Sequence, residues 1–134
     1  MKAEQVIPIL RIFDYRKTIE FYVDWLGFEI EWGDQPEDSA PLYMEIKKGN
    51  IVFHLSEHHG DGTPGTRIFI WGEGVAEYHK ELIDKQYKYN YPGLEKTFYD
   101  AVAFTVYDPF GNKIIFNEKF DEEKHKHLEF YVPQ

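Results

Sequence analysis

Two stretches decide the fold: YMEIKKGNIVFHLSE (residues 43–57) and VAFTVYDPFGNKIIFNE (residues 102–118). In each, a run of alternating apolar side chains meets a Gly-Asn pair, turns, and returns as a second alternating run ending in a glutamate, Glu57 or Glu118. Alternation of period two marks a strand with one buried face, and Gly-Asn between two such runs marks a hairpin. Two copies of one hairpin in a 134-residue chain predict an internal duplication.

Working outward, each hairpin is preceded by a strand, a helix and a further strand. VIPILRI (6–12) is strand-like, Asp14 suits a helix cap, and YRKTIEFYVDWLG (15–27) carries Ile19, Phe21, Tyr22, Trp25 and Leu26 at helical spacing before Gly27 ends it. FEIEW (28–32) alternates, and DQPEDSAP (34–41) is a loop. LYMEIKK (42–48) and IVFHLSE (51–57) then form the hairpin. The second series runs TRIFIW (66–71), an amphipathic helix from Glu73 to Gln86, YKYNY (87–91) as a strand, PGLEKT as a loop, and the hairpin strands VAFTVY (102–107) and KIIFNE (113–118) around the turn DPFGN. The expected class is α+β: two tandem βαβββ modules, about 6–57 and 66–118, in a single domain over 1–134. A charged tail with an apolar end, 119–134, lies outside the repeat.

Composition narrows the function. Three Trp, ten Tyr and eleven Phe exceed what a small core needs and leave rings to line an apolar cleft. There is no cysteine, which removes disulfides, thiolate chemistry and Cys-type zinc sites. No 18-residue apolar run occurs and MKAEQVIPIL lacks the apolar stretch of a signal peptide, so a soluble cytoplasmic protein without membrane contact is expected. A net charge of −9 speaks against nucleic acid. It suits a cationic ligand, and equally it suits plain solubility.

Alternation divides the strands into a core face and a second face. Leu42, Met44, Ile46, Ile51, Phe53, Leu55, Ile68, Ile70, Ile114 and Phe116 belong to the core. Tyr43, Glu45, Val52, His54, Ser56, Arg67, Phe69, Trp71, Ile115 and Asn117 face the other way, with Ile7, Ile9 and Arg11 beside them. This mixture of aromatic and polar groups fits a bulky organic ligand with polar arms. HLSEHHGDGTPG (54–65) holds three histidines. His54 is a strand residue aimed at the cleft, whereas His58 and His59 sit in a glycine-rich connection and read as solvated or structural. Glu57 and Glu118 read as loop-capping carboxylates, and Asp108 to Asn112 as a structural turn. Trp32 ends its strand beside the 33–41 loop, as a lid or as cover for the core. No nucleophile–His–acid set or phosphate loop is visible, and no catalytic residue is expected.

ILRIFDYRKTIEFYVDWLGFEIEW, YDPFGNKIIFNE and FHLSEHHGDGTPG resemble the opening module, the closing strand pair and the intermodule stretch of the glyoxalase/bleomycin-resistance/dioxygenase (vicinal oxygen chelate) superfamily, in its bleomycin-resistance-like branch. The resemblance covers residues 6–118. It implies paired modules whose sheets curl around a cleft, and a homodimer whose clefts take residues from both chains. Enzymes of the family hold a divalent metal through His and Glu, and the resemblance puts those positions at Ile7, His54, Arg67 and Ile115. Only His54 has a metal-ligating side chain, and zinc, nickel or iron takes at least two protein ligands and usually three. Neither metal nor other cofactor is therefore expected.

The leading expectation is a metal-free binding protein of bleomycin-resistance type that sequesters a cationic drug at a dimer interface. Its ligand-binding residues are expected to be His54, Trp71, Phe69, Tyr43, Glu45, Arg67, Ile115, Asn117 and Trp32. The alternatives are a metal-dependent lyase or isomerase of glyoxalase type, and a sensor or binding module for another metabolite.

Overall fold

The computed structural model describes residues 1–33 and 41–132. Residues 34–40 of the expected loop, and the last two residues of the tail, lie outside the described residues. The chain divides into two compact units: 1–66 with 108–112, and 67–107 with 113–134.

In the first unit, β1 (Ile9–Arg11) leads to a helix capped by Asp14, whose carboxylate accepts from the Lys17 amide at 2.8 Å. The helix begins as α1 (Tyr15–Thr18) and continues over Ile19–Trp25 with wider, π-type turns, so that the Leu26 amide donates to the Phe21 carbonyl five residues back. Phe21, Tyr22, Trp25 and Leu26 are all buried. β2 (Glu29–Trp32), β3 (Tyr43–Lys48) and β4 (Ile51–Ser56) complete a mixed sheet in the order β1-β4-β3-β2, with β1 and β4 parallel. The second unit repeats the plan. β5 (Arg67–Trp71), α2 (Val75–Asp84), β6 (Glu95–Lys96), β7 (Ala101–Tyr107) and β8 (Lys113–Lys119) give the order β5-β8-β7-β6, again with the first and last strands parallel. The class is α+β. A short α3 (Glu122–His125) follows, and no helix among the described residues is long and apolar enough to cross a membrane.

One strand is misplaced by the sequence pattern. Tyr87–Tyr91 alternates, yet it is not a strand; β6 is the two-residue Glu95–Lys96, inside the stretch expected to be loop. The reason is Asn90. Its side-chain amide donates to the Tyr107 carbonyl at 2.9 Å and accepts from the Tyr107 amide at 2.9 Å, doing for one residue what a strand would do. Pro92 follows, without an amide hydrogen to extend a ladder.

The core alternation holds for seven of the ten residues assigned to it, while Ile51, Ile68 and Ile70 are only half-buried. Leu42, Met44, Ile46, Phe53, Leu55, Ile114 and Phe116 are buried. The two terminal glutamates cap loops: Glu57 accepts from the Leu42 amide at 2.9 Å, and Glu118 from the Gly74 and Val75 amides at 3.1 and 3.2 Å. Asp108 accepts from the Phe110 and Asn112 amides, the Asn112 side chain and the Tyr22 hydroxyl, all at 2.7–2.8 Å, so the turn is a buried hub of the first unit. Burial first, and the Asp108 carboxylate second, raise the Tyr22 hydroxyl well above the usual phenol range.

Candidate functional site

On the first unit, the face of the sheet away from its core carries a short polar chain flanked by aromatic rings. Glu45 on β3 lies directly opposite His54 on β4, and Ile9 on β1 flanks His54 on the other side. The Tyr43 hydroxyl lies 2.7 Å from His54 Nδ1, and His54 Nε2 lies 2.9 Å from Glu45 Oε1. With a neutral imidazole one self-consistent assignment exists. Nε2 carries the proton and donates to Glu45, and Nδ1 accepts from Tyr43. Partial burial first, and the Asp61 carboxylate second, hold the Tyr43 hydroxyl above its ordinary range, which keeps it a neutral donor.

Trp32 joins this group through a bulge. Ile30 pairs with the core residue Ile46, so strict alternation would send Trp32 coreward as well. The register slips between Ile30 and Trp32, Trp32 falls opposite Glu45, and its side chain turns to the other face. There it stacks on Tyr43 (centroids 5.9 Å, planes 8° apart) and meets His54 edge-on at 5.2 Å. Gly33 then leaves the strand with φ +90°, where a Cβ would collide with the Tyr43 carbonyl.

On the second unit, the corresponding face is aromatic. Phe69 and Trp71, alternate residues of β5, are each about half exposed (48% and 50%) and contact each other edge-to-face at 5.3 Å. Tyr99 approaches both, at 5.7 and 6.0 Å, and Phe98 stands fully exposed beside it. A hollow of about 380 Å³ on this unit is lined by Arg67, Ile115, Thr105, Phe98 and Tyr99 among others. Asn117 belongs to the same sheet, but it is wholly buried. Its amide donates to the Ile70 and Ile115 carbonyls at 3.2 Å and accepts from the Tyr99 hydroxyl at 2.5 Å, which fixes the Tyr99 ring. Its counterpart Ser56, also read as facing the cleft, is buried and donates to Asp61 at 2.9 Å.

The structure thus assembles two groups: Trp32, Tyr43, Glu45 and His54 on one unit, and Arg67, Phe69, Trp71 and Ile115 on the other. Tyr99 and Phe98 went unnoticed in the sequence because they follow a loop rather than alternate within a strand. The donor set for a divalent ion does not fit. Ile7 and Ile115 carry no ligating atom, Arg67 is cationic, and both His54 nitrogens are engaged by Tyr43 and Glu45. Among the described residues no three His, Asp or Glu side chains gather as a metal site.

A family model described as "Glyoxalase superfamily protein" matches residues 1–123. The spore coat protein homolog 1 of Rhizopus delemar is 31% identical over 127 residues, which is 84% of this chain; the chain spans only a fifth (20%) of that protein's length. The bleomycin resistance protein of Geobacillus stearothermophilus is 29% identical over 130 residues, 84% of this chain and 94% of that one. Among solved structures, the bleomycin-binding protein of bleomycin-producing Streptomyces verticillus, complexed with copper(II)-bleomycin, superposes with a TM-score of 0.64 at 25% identity. The match covers 91% of this chain and 99% of that chain.

Proposed function

The chain belongs to the glyoxalase superfamily, and from that premise we propose that it is a metal-free binding protein for a cationic, partly aromatic antibiotic of the bleomycin class. The observation that carries this reading is the half-exposed Phe69–Trp71 pair, held beside a Tyr99 ring that buried Asn117 anchors. Flat, rigid rings that stay partly in water give a planar ligand a surface on which to stack, worth roughly 0.5–2 kcal/mol per ring. Sequestration needs no reacting group. The bleomycin resistance protein and bleomycin-binding protein among its relatives support the same ligand class.

The contact residues we assign form two patches, one on each unit: Phe69, Trp71, Arg67, Ile115 and Asn117, and Trp32, Tyr43, Glu45 and His54. In the first of these Asn117 acts by positioning Tyr99. The net charge of −9 raises the encounter rate with a cation, a gain that added salt removes. Calorimetry with bleomycin at low and high salt tests the reading: heat at both, with slower association at high salt, is expected. No heat from a folded protein at either salt removes it.

Arg67 favours a second reading, a sensor for an anionic metabolite, because its exposed guanidinium borders the 380 Å³ hollow. A thermal-shift screen separates the two, since stabilisation by a carboxylate or phosphate metabolite and not by bleomycin selects the sensor. The protein is further proposed to be a homodimer resident in the cytoplasm. Ile9, Phe69 and Trp71 leave apolar area on the outer strand faces that a second copy and the bound ligand would cover between them. Light scattering should report twice 16.0 kDa at micromolar concentration.

A further inference from the structure

We propose that the second unit carries a separate binding site for a quaternary or alkylated ammonium group, walled by Tyr91, Tyr107 and Tyr131 with the Glu95 carboxylate beside them. These residues, with Thr105 and the Pro92–Gly93 segment, line a hollow of about 420 Å³. None of them belongs to the antibiotic contacts assigned above, although Glu95 and Thr105 also border the neighbouring hollow beside Arg67.

The three rings are not core. Tyr91, Tyr107 and Tyr131 are 84%, 51% and 59% exposed. A cation that enters a hollow lined by aromatic rings gains from the negative charge on their faces. The walls are held in place. Asn90 clamps the Tyr107 backbone with two hydrogen bonds of 2.9 Å, and this fixes the start of the Tyr91–Pro92 segment. The tail is brought back by the Tyr131 amide, which donates to the Leu94 carbonyl at 2.7 Å. Gly93 makes room for it, since a Cβ at 93 would stand 2.7 Å from the Tyr131 Cβ. The tail therefore supplies a wall, and a glycine is what admits it.

Charge selects the class. No lysine, arginine or histidine lines the hollow, and Glu95 has no ion-pair partner among the described residues. Tyr107 already acts as a cation acceptor, since Lys113 Nζ lies 5.4 Å from its ring centroid without lining the hollow. A trimethylammonium group is well suited to such walls. It cannot hydrogen-bond, so it loses little on leaving water, and its spread charge contacts several ring faces at once.

The test is an NMR titration of the whole chain with choline, and in parallel with 3,3-dimethyl-1-butanol, its uncharged isostere. Choline should shift the ring signals of Tyr91, Tyr107 and Tyr131 saturably, and the alcohol should not. Glu95→Gln should weaken choline by about tenfold, and Gly93→Ala, which displaces the Tyr131 wall, by a similar factor. Three results overturn the proposal: no saturable shift at millimolar choline, equal binding of the alcohol, or shifts centred on Phe69 and Trp71. Glu95 is a half-buried residue of the short edge strand β6 and Gln matches its shape, so its variant is informative even if Gly93→Ala folds poorly.

Discussion

The two sheets are built on one plan and present opposite chemistry. In the first, Glu45 pairs with His54, and Ile9 flanks the histidine. In the second, the same register places Thr105 opposite Ile115, with Phe69 as the flank. Ser56 corresponds to Asn117, and both are buried. Duplicated backbones thus keep their cores and diverge at the partly exposed positions of the other face. In the polar chain the Tyr43 hydroxyl, both His54 ring nitrogens and Glu45 Oε1 pair with one another. An aromatic face needs only support from beneath, and Asn117 gives it through Tyr99.

The largest expected effect comes from exchanging those supports. Asn117→Ala removes donors to two carbonyls and an acceptor for a tyrosine, all in a buried place, and should cost about 2–3 kcal/mol. Ser56→Ala loses a bond to Asp61 and the acceptor of the His58 amide, and should cost about 1–2 kcal/mol. Urea unfolding of the two variants compares the anchors directly. Equal losses would mean that the two sheets rest on their buried polar residues alike.

Next comes alkaline pH. Tyr22 in the first unit and Tyr78 in the second both have hydroxyls raised above the phenol value of 10.0, in each case chiefly by burial. A raised folded value means that the folded state keeps its proton longer. The associated stability is complete below about pH 10 and is lost as pH climbs toward the folded value. Each tyrosine then forfeits about 1.4 kcal/mol per pH unit. Chemical unfolding at pH 9 and pH 11 should show the fall, and Tyr78→Phe should flatten it. An unchanged midpoint across that range contradicts the burial argument for both units.

Much of the molecule was legible because packing wrote it into the sequence. The core residues of β3, β4 and β8 recur every second position, and the Gly-Asn hairpins and terminal glutamates repeat visibly. What stayed hidden depends on tertiary contacts. The bulge that turns Trp32 toward Glu45 leaves no mark in EIEW, and the Asn90 clamp makes a strand-like pattern into an irregular segment. Alternation also assigned Asn117 and Ser56 to the face away from the core. It could not show that side chains above them, Tyr99 and Asp61, bury them.

Ligand binding is expected to follow the aromatic side of the division. Trp71→Ala should weaken bleomycin about tenfold, the share of a stacking face. Trp32→Ala should weaken it less, since Trp32 already spends one face on Tyr43. Calorimetry that ranks the two the other way would move the main contact surface to the first unit.

The smallest effect is expected at the Glu45–His54 pair. The second sheet holds the equivalent position with Thr105 and Ile115, so the plan does not require a carboxylate–imidazole hydrogen bond there. Both partners retain some exposure, 22% and 19%, which leaves water to screen the charge. In Glu45→Gln the amide oxygen still accepts from His54 Nε2, and only the charge is lost. Denaturation at pH 7 should therefore show a loss of about 0.5 kcal/mol or less. The same variant should carry less of the attraction that a cationic ligand feels, so the salt dependence of bleomycin association should become shallower. A stability loss above about 2 kcal/mol would instead make the pair structural. The polar face would then belong to the fold of the first unit, as Asn117 belongs to the fold of the second.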